Sequence, residues 1–184
     1  YILDSPMGIS VFDIFADNPK WHKWRREDCE DIAKTFQMVS DYQETMDIIF
    51  GDSPKVIIAA SGMLTGGRVL AYLEHYLDKP ETTIIHSGYQ AEGTRGRKLL
   101  EGANEIKIRG KYYPVKCNVL EIRSLSAHAD QRGLLDWLAD LPQEPSKIFL
   151  VHGENEAAAE LRLKITERYG FDCQVPMMGQ KLEL

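Results

Sequence analysis

The sequence predicts an α/β fold in which a mostly parallel sheet is flanked by helices. Helix and strand patterns alternate along the 184 residues. Unbroken apolar runs at 55–60 and 148–151 are typical of buried strands, and each leads into a helical pattern. Because helices of this length separate the strands, parallel pairing through crossover connections is expected.

Turn and end signals place the elements of the first two thirds of the chain. A helix ends before Pro19, and Gly51 closes another that follows a polar stretch with no clear pattern at 20–31. An Asp52-Ser53-Pro54 turn precedes a strand that its apolar character predicts to be fully buried. The expected order is a strand at 1–3, helices ending at about 18 and 50, a strand at 55–60, a helix at 66–77, a strand at 82–86 and a helix from near Gly93.

The pattern changes after Gly102. Alternating residues at 105–109 and 113–122 flank a Gly110-Lys111 turn, which predicts an antiparallel hairpin. Beyond it the expected order is a helix at 131–140, a strand at 147–151, a helix at 155–169 that Gly170 ends, and a strand at 171–175.

Composition excludes several classes of protein. No apolar run reaches membrane-spanning length, so we expect a soluble, cytoplasmic protein with no membrane partner. Three widely spaced cysteines predict buried, reduced thiols rather than disulfides or a zinc ribbon. The net charge of −6 argues against a protein that binds nucleic acid over its whole surface.

Basic residues concentrate between positions 95 and 116. The acidic residues of this window are Glu101 and Glu105, so basic residues predominate. This excess of positive charge suits a groove that binds a phosphate backbone, although a solvated hairpin would show the same pattern. Its seven basic residues are Arg95, Arg97, Lys98, Lys107, Arg109, Lys111 and Lys116.

Two short histidine motifs, Ser126-Ala-His128-Ala-Asp130 and Val151-His152-Gly-Glu154, each lie between a strand pattern and a helix pattern. Open α/β sheets place their chemistry at such junctions. Asp130 could orient an imidazole, and Ser126 could bind a phosphate or serve as a helix cap. Glu154 could be a cap or could hydrogen-bond a metal ligand.

Two glycine-rich segments also follow strands and enter helices. In the segment 60–68, backbone N–H groups together with Ser61, Gly62, Thr65 and Arg68 could bind phosphate, although the Walker pattern is absent. In the segment 86–97, Tyr89 could stack on a base, with Gln90 beside it, and Arg95 and Arg97 could clamp phosphates. Glycines that only permit sharp turns are the alternative.

These four motifs, in this order, resemble the β-CASP branch of the metallo-β-lactamase superfamily, whose members are RNA-cutting nucleases. The resemblance runs from Asp4-Ser5-Pro6 to the end of the chain. It implies a β-CASP domain at 1–123 and, at 124–184, the C-terminal segment of a metallo-β-lactamase αββα fold. It also implies that His152 is a zinc ligand and that His128 lies beside the scissile phosphate, whereas a lone histidine at a strand end is more often structural.

The main metal motif of that family, His-x-His-x-Asp-His, is absent, because none of the five histidines is two residues from another. We therefore expect the C-terminal part of a longer enzyme whose N-terminal metallo-β-lactamase half is missing. The complete enzyme would hold two zinc ions and bind RNA, and a homodimer is left open. This part alone is expected to hold little or no zinc and to be inactive.

Two other functions would fit parts of the pattern. A non-catalytic β-CASP-type RNA-binding or regulatory subunit would share the fold and differ in the metal motif that lies outside this sequence. A Ser/His/Asp hydrolase using Ser61 or Ser126 is disfavoured, because the sequence has no Gly-x-Ser-x-Gly elbow and Ser126 is too close to His128.

Overall fold

The structure is a computed structural model that describes residues 1–182, and it divides into two compact units. Unit 1 is Tyr1–Ser126, and unit 2 begins at Ala127. The described α-helices are α1 (Pro6–Asp17), α2 (Arg26–Thr35), α3 (Tyr42–Phe50), α4 (Val69–Tyr76), α5 (Arg95–Leu100), α6 (Gln131–Ala139) and α7 (Asn155–Tyr169). The strands are β1 (Ile2–Asp4), β2 (Gln37–Met38), β3 (Ile57–Ala59), β4 (Thr83–His86), β5 (Glu105–Ile108), β6 (Lys111–Pro114), β7 (Asn118–Glu121), β8 (Ile148–Phe149) and β9 (Cys173–Gln174).

The α/β class and the predominance of parallel pairing are confirmed. In unit 1, β1 pairs in parallel with both β2 and β3, and β4 pairs in parallel with β7. The strands β5 and β6 form the expected antiparallel hairpin around Gly110. The boundary between a β-CASP and a lactamase domain near residue 123 stays a prediction.

Unit 1 contains two clusters of buried apolar side chains. One packs α3 and α4 against the three-stranded sheet, and the other packs α4 and α5 against the hairpin. The buried members of the first are Ile2, Val39, Ile48, Ile49, Ala71 and Tyr72. Those of the second are Leu64, Leu70, Leu73, Leu77, Leu99, Ile106 and Ile108. The helix α4 contributes to both clusters and so connects them.

The prediction that the strand at 55–60 is fully buried is wrong. The strand β3 covers only Ile57–Ala59, and Ile58 is 49% exposed. Successive side chains of a strand point to opposite faces of the sheet, and within residues 1–182 the face of β3 that carries Ile58 is only partly covered. An unbroken apolar run does not distinguish such a strand from a buried one.

The prediction of one long hairpin strand at 113–122 is also wrong. The segment is split after Pro114, which has no N–H to donate, and the amides of Lys116 and Cys117 instead donate to the carbonyl of Leu77 at 2.7 and 3.1 Å. After this break, β7 joins β4 in parallel, with His86 opposite Glu121. The hairpin is therefore inserted between two strands of a parallel pair.

Unit 2 is built on a β8–α7–β9 crossover, with Ile148 opposite Cys173 in parallel. Its core is formed by apolar side chains of α6, α7 and both strands, including the fully buried Ile165. The helix α7 spans Asn155–Tyr169 as predicted and ends at Gly170, whose φ of 74° is left-handed.

The three cysteines are free: Cys29 and Cys173 are buried, and Cys117 is partly buried. Among the described helices, none combines the length and the apolar character needed to cross a membrane.

Candidate functional site

The first glycine-rich segment forms a tight loop between β3 and α4. The hydroxyl of Ser61 accepts a hydrogen bond from the Thr65 amide at 3.1 Å and lies 3.1 Å from the Thr65 hydroxyl. Gly67 has a φ of 75°, and a Cβ there would lie 2.6 Å from the Ala60 carbonyl oxygen. The backbone approaches itself so closely that only glycine fits. Gly62, by contrast, faces open space.

The guanidinium of Arg68, at the end of this loop, is directed inward. It donates to a carboxylate oxygen of Asp4 at 2.5 Å and to the carbonyls of Val39 at 3.1 Å and Ser40 at 2.5 Å. The Arg68 side chain is 16% exposed and that of Asp4 is fully buried. Little of the Arg68 guanidinium is left for direct contact with a ligand.

The second glycine-rich segment is hydrogen-bonded to the first. The side-chain amide of Gln90 donates to the Gly62 carbonyl at 3.0 Å, and the amide of Gly96 donates to the Met63 carbonyl at 3.3 Å. Arg95 donates to the Leu64 and Thr65 carbonyls at 3.0 and 3.3 Å. The two segments therefore form one cross-linked structure, which we call the loop pair (residues 60–68 and 87–97).

A buried polar pair lies under the loop pair. His86 and Gln90 are each 3% exposed, and Nε2 of His86 and Oε1 of Gln90 have no hydrogen-bond partner among the described residues. Both side chains face Gly96, where a Cβ would lie 1.6 Å from Gln90 Oε1 and 3.3 Å from His86 Cε1. Burial lowers the pKa of His86, and Glu121 opposes this shift. His86 is therefore held as a neutral imidazole near pH 7.

A basic cleft of about 430 Å³ opens beside the loop pair. Arg95, Lys98, Lys107 and Arg109 line it together with Thr65, and no acidic residue does. Arg95 spans it by donating to the Lys107 carbonyl at 2.7 Å. The basic window of the sequence is thus folded so that four of its cations surround one concave space. This volume is at the small end of the range typical of ligand pockets, roughly 300–1,000 Å³.

Other predicted phosphate ligands do not line the cleft. Arg97 donates to Glu101 at 2.7 Å and to the Gln90 carbonyl at 3.3 Å, which holds its guanidinium on α5. Tyr89 is 57% exposed in the second segment, and Ser126 is exposed in the loop that ends unit 1. Their binding of RNA stays a prediction.

The two histidines of the sequence motifs are both exposed in unit 2. His128 precedes α6, and His152 follows β8 and precedes α7, with a φ of 66° in the left-handed region. Asp130 is the N-cap of α6, where its Oδ1 accepts the amide of Gly133 at 2.8 Å. That carboxylate therefore has one structural task, and its role in orienting an imidazole stays a prediction.

The helices that follow these histidines run in the same direction. Lys164, midway along α7, donates to Gln131 at the start of α6, whereas Tyr169, at the end of α7, donates to the carbonyl of Leu135. Because later residues of one helix meet later residues of the other, the loops carrying His128 and His152 lie at the same end of unit 2.

The described residues do not form a complete zinc site. Within 1–182, no three His, Cys, Asp or Glu side chains gather as metal ligands. Zinc takes about four ligands in a structural site and three plus water in a catalytic one. A zinc ion bound by His152 would need ligands from outside these residues.

Sequence reasoning missed three parts of this region. It gave no role to Asp4, whose carboxylate holds the first loop, or to His86 beneath the loop pair. It counted Lys98, Lys107 and Arg109 in the basic window without assigning them to a site. The charge count placed these three residues in the basic window, but the closeness of α5 to β5 that forms the cleft appears only in the fold.

Comparison with known families matches two models to this chain. Residues 1–99 match the Beta-Casp domain. Residues 112–176 match a family described as the Zn-dependent metallo-hydrolase RNA specificity domain.

Individual relatives include two transcription termination factors and an RNase J-like protein. The transcription termination factor FttA of Methanocaldococcus jannaschii is 36% identical over 151 residues, which cover 79% of this chain and 24% of that protein. FttA of Methanothermobacter thermautotrophicus is 32% identical over 151 residues, with the same coverage of each chain. An RNase J-like protein of M. jannaschii is 36% identical over 137 residues, or 74% of this chain and 32% of the relative. The chain thus spans about a quarter to a third of the length of these curated relatives.

Proposed function

The chain belongs to the Beta-Casp family, and we propose that it is part of a zinc-dependent ribonuclease, to which it supplies an RNA-binding cleft and two active-site histidines. The family description of residues 112–176 names both zinc and RNA specificity. The RNase J-like relative supports nuclease activity by its name.

The basic cleft is the observation that carries this proposal. Four cations converge there on an otherwise acidic chain, so the local field attracts phosphate although the net charge is −6. Lys98 is the most available of them. Arg95 is hydrogen-bonded to three carbonyls, Arg109 pairs with Glu74 at 3.2 Å, and the Lys107 ammonium lies over the Tyr112 ring at 5.4 Å. In the proposal, Thr65, Arg95 and the two lysines contact the RNA backbone.

Some of the remaining loop residues maintain the shape of the loop pair in the proposal, and the others contact RNA. Arg68 and Gln90 hold the loop pair in shape and do not touch RNA. Ser61 and the open surface over Gly62 face the RNA backbone, Tyr89 stacks on a base, and Arg97 and Ser126 bind neighbouring phosphates. Open glycine surfaces allow a phosphate to approach backbone N–H groups closely.

The two histidines have different tasks in the proposal. His152 is one ligand of a zinc site completed by other parts of the protein. Zinc in such a site activates a water molecule and stabilises the charge that develops on the phosphate. His128 holds a phosphate oxygen or gives a proton to the leaving oxygen, because an imidazole can do either near neutral pH. Its exposure in unit 2 leaves it accessible to RNA.

The FttA relatives are named as transcription termination factors, and the second candidate is therefore a non-catalytic RNA-binding protein that acts in transcription termination. Both candidates need the basic cleft. They differ in whether the wild-type protein cleaves RNA and whether replacement of His128 slows that cleavage.

A salt titration of the full-length protein tests the cleft. Lys98→Ala removes a cleft cation, and the matched control Lys116→Ala removes an exposed lysine of the same basic window outside the cleft. With single-stranded RNA, we expect Lys98→Ala to weaken binding and to flatten the log–log salt dependence by about 0.7 unit, the value for one phosphate fewer neutralised on a single strand. The control should keep the wild-type slope.

Equal slopes for wild type, Lys98→Ala and Lys116→Ala would contradict the RNA-binding cleft. Cleavage of the same RNA, followed by gel electrophoresis with and without added zinc, separates the two candidates. A wild-type protein that binds but never cuts supports the termination factor that does not cleave.

A further inference from the structure

Residues 18–26, which we call the tryptophan segment, combine aromatic and basic side chains without an acidic one. The sequence is Asn-Pro-Lys-Trp-His-Lys-Trp-Arg-Arg, so the segment has a formal charge of +4 while the whole chain has −6. It connects α1 to α2, and Pro19–Trp21 forms a single 3₁₀ turn. None of these residues lines the basic cleft or has a part in the roles proposed for His128 and His152.

The segment is ordered by contacts with the end of α1. The ring of His22 stacks on Phe15 at a centroid distance of 3.7 Å, and its Nε2 lies 2.8 Å from the Phe15 carbonyl oxygen. The amide of Trp24 donates to Nδ1 of the same imidazole at 3.2 Å, and the Trp24 ring meets Phe15 edge-on. His22 therefore links the end of α1 to the backbone of Trp24, and the aromatic side chains are presented from a fixed backbone.

Trp21 projects from this fixed turn into solvent. It is 88% exposed, compared with 49% for Trp24, and within residues 1–182 no aromatic ring stacks on it. A tryptophan so exposed forgoes the stabilisation that burial would give it. Both faces of the indole are available to a planar ligand.

The charges around Trp21 divide into paired and unpaired ones. Arg25 pairs with Asp28 at 3.0 Å, and Arg26 pairs with Glu30 at 3.4 Å. Lys20 and Lys23 are exposed, and neither has an ion-pair partner among the described residues. Two unpaired ammonium groups therefore flank the exposed indole.

We propose that the tryptophan segment is a second contact surface for single-stranded RNA, on which Trp21 stacks against a base while Lys20 and Lys23 bind adjacent phosphates. Aromatic rings with interleaved cations are how proteins bind single strands without reading their sequence. The charge favours RNA over a protein partner, because Lys20 and Lys23, which have no ion-pair partner among the described residues, place two positive charges beside the indole that complement a polyanion. The proposal rests on the function proposed above and adds a second site that binds the strand, made of residues other than those of the cleft.

The test measures binding of a fluorescent oligouridine to the full-length protein by anisotropy at several salt concentrations. The variants are Trp21→Ala, Trp21→Tyr, and the double change Lys20→Ala with Lys23→Ala. The matched control is Trp137→Ala, because Trp137 is 65% exposed but lies on α6 next to Asp136. Thermal melts of each variant verify that the fold is retained.

Trp21→Ala is expected to weaken binding roughly 5- to 100-fold, the range that stacking of one base on an aromatic ring supplies. Trp21→Tyr should recover most of the affinity, and Trp137→Ala should change little. The double lysine variant should flatten the salt slope by about 0.7 unit for each phosphate that is no longer neutralised. With 4-thiouridine in the RNA, ultraviolet light should cross-link the strand to residues 18–26.

Wild-type affinity for Trp21→Ala would overturn the proposal, as would an equal weakening for Trp137→Ala. A change in oligomeric state at unchanged RNA affinity would also overturn it and assign the segment to a protein contact. The cleft is tested separately: an effect of Lys98→Ala without one of Trp21→Ala removes only this second surface. If the wild-type protein binds no RNA at all, both proposals fail.

Discussion

Asp4 and Arg68, which are 64 residues apart in the sequence, form a buried ion pair that joins the end of β1 to the first glycine-rich loop. The distance from Arg68 Nη1 to Asp4 Oδ1 is 2.5 Å. The other carboxylate oxygen accepts hydrogen bonds from Thr45 at 2.8 Å and Tyr72 at 2.6 Å. Burial and the neighbouring carboxylate raise the pKa of Tyr72, so that its hydroxyl remains a donor. The Asp4 carboxylate thus accepts hydrogen bonds from Arg68, Thr45 and Tyr72.

Replacement of Arg68 by alanine is therefore expected to destabilise the fold more than to weaken RNA contact directly. Removing one partner of a buried ion pair costs about 3–5 kcal/mol, because the remaining charge is left unpaired. Urea unfolding of the purified chain measures this change in stability. The control is Arg123→Ala, since the Arg123 side chain is 86% exposed and its pair with Glu121 should contribute less than about 1 kcal/mol. Similar destabilisation in both variants would contradict the structural role of Arg68.

Local sequence signals were sufficient to predict most helices but not which strands pair with each other. The capping glycine after α7 and the long apolar periodicity before it predict Asn155–Tyr169 to the residue. The pairing of β7 with β4 could not be predicted, because it depends on Leu77, whose carbonyl captures the amides that would otherwise continue the hairpin. Pro114 marks the break in the local pattern, but nothing in that pattern shows that β7 pairs with β4.

In the site, too, the sequence predicts which residues are present but not whether their side chains are buried or exposed. Motif reasoning predicts which residues surround the glycine-rich loops, but Gln90 and Arg68 have polar side chains that look available in the sequence and are mostly buried in the fold. Lys98 carries no motif and lies in the cleft. The positions of charged side chains relative to a surface depend on how α5 packs against β5, which the sequence does not reveal.

Gly96→Ala should disconnect the loop pair. Alanine suits the helix α5 better than glycine does, by roughly 0.5–1 kcal/mol, but its Cβ would lie 1.6 Å from Gln90 Oε1. Overpacking of this kind costs about 1–3 kcal/mol and would displace the amide that bonds to the Gly62 carbonyl. We expect a lower melting temperature and weaker RNA binding.

Gly88→Ala is the matched control, because a Cβ at Gly88 meets nothing within 4 Å. The double variant Gly96→Ala with Gln90→Ala should be more stable than the sum of the single effects predicts, since the clash is gone. Additive destabilisation would mean that Gly96 is needed for some other reason.

In the full-length protein, replacement of His152 should remove zinc and activity together, whereas replacement of His128 should slow cleavage and leave the zinc content nearly unchanged. Asparagine is the suitable replacement at His152, because the φ of 66° there is left-handed and asparagine tolerates it. Elemental analysis beside a cleavage assay measures both effects. Equal zinc depletion in the two variants would show that His128 is also a ligand.

The last prediction concerns pH and follows from the burial of His86. Its pKa in the folded chain lies below the ordinary value of 6.5, because burial disfavours the charged ring more than Glu121 favours it. Below about pH 6.5 the unfolded chain therefore takes up a proton that the folded chain resists, so the free energy of unfolding falls as the pH falls. His86→Phe removes this contribution and the unpartnered Nε2, so it should be at least as stable at pH 7.5 and should lose less stability between pH 6.5 and 5. The pKa of His75 is lowered too, so some dependence remains in the variant. Urea unfolding at several pH values provides the measurement, and parallel stability profiles for the two proteins below pH 6.5 would show that the His86 ring is protonated equally easily in the folded and unfolded chains.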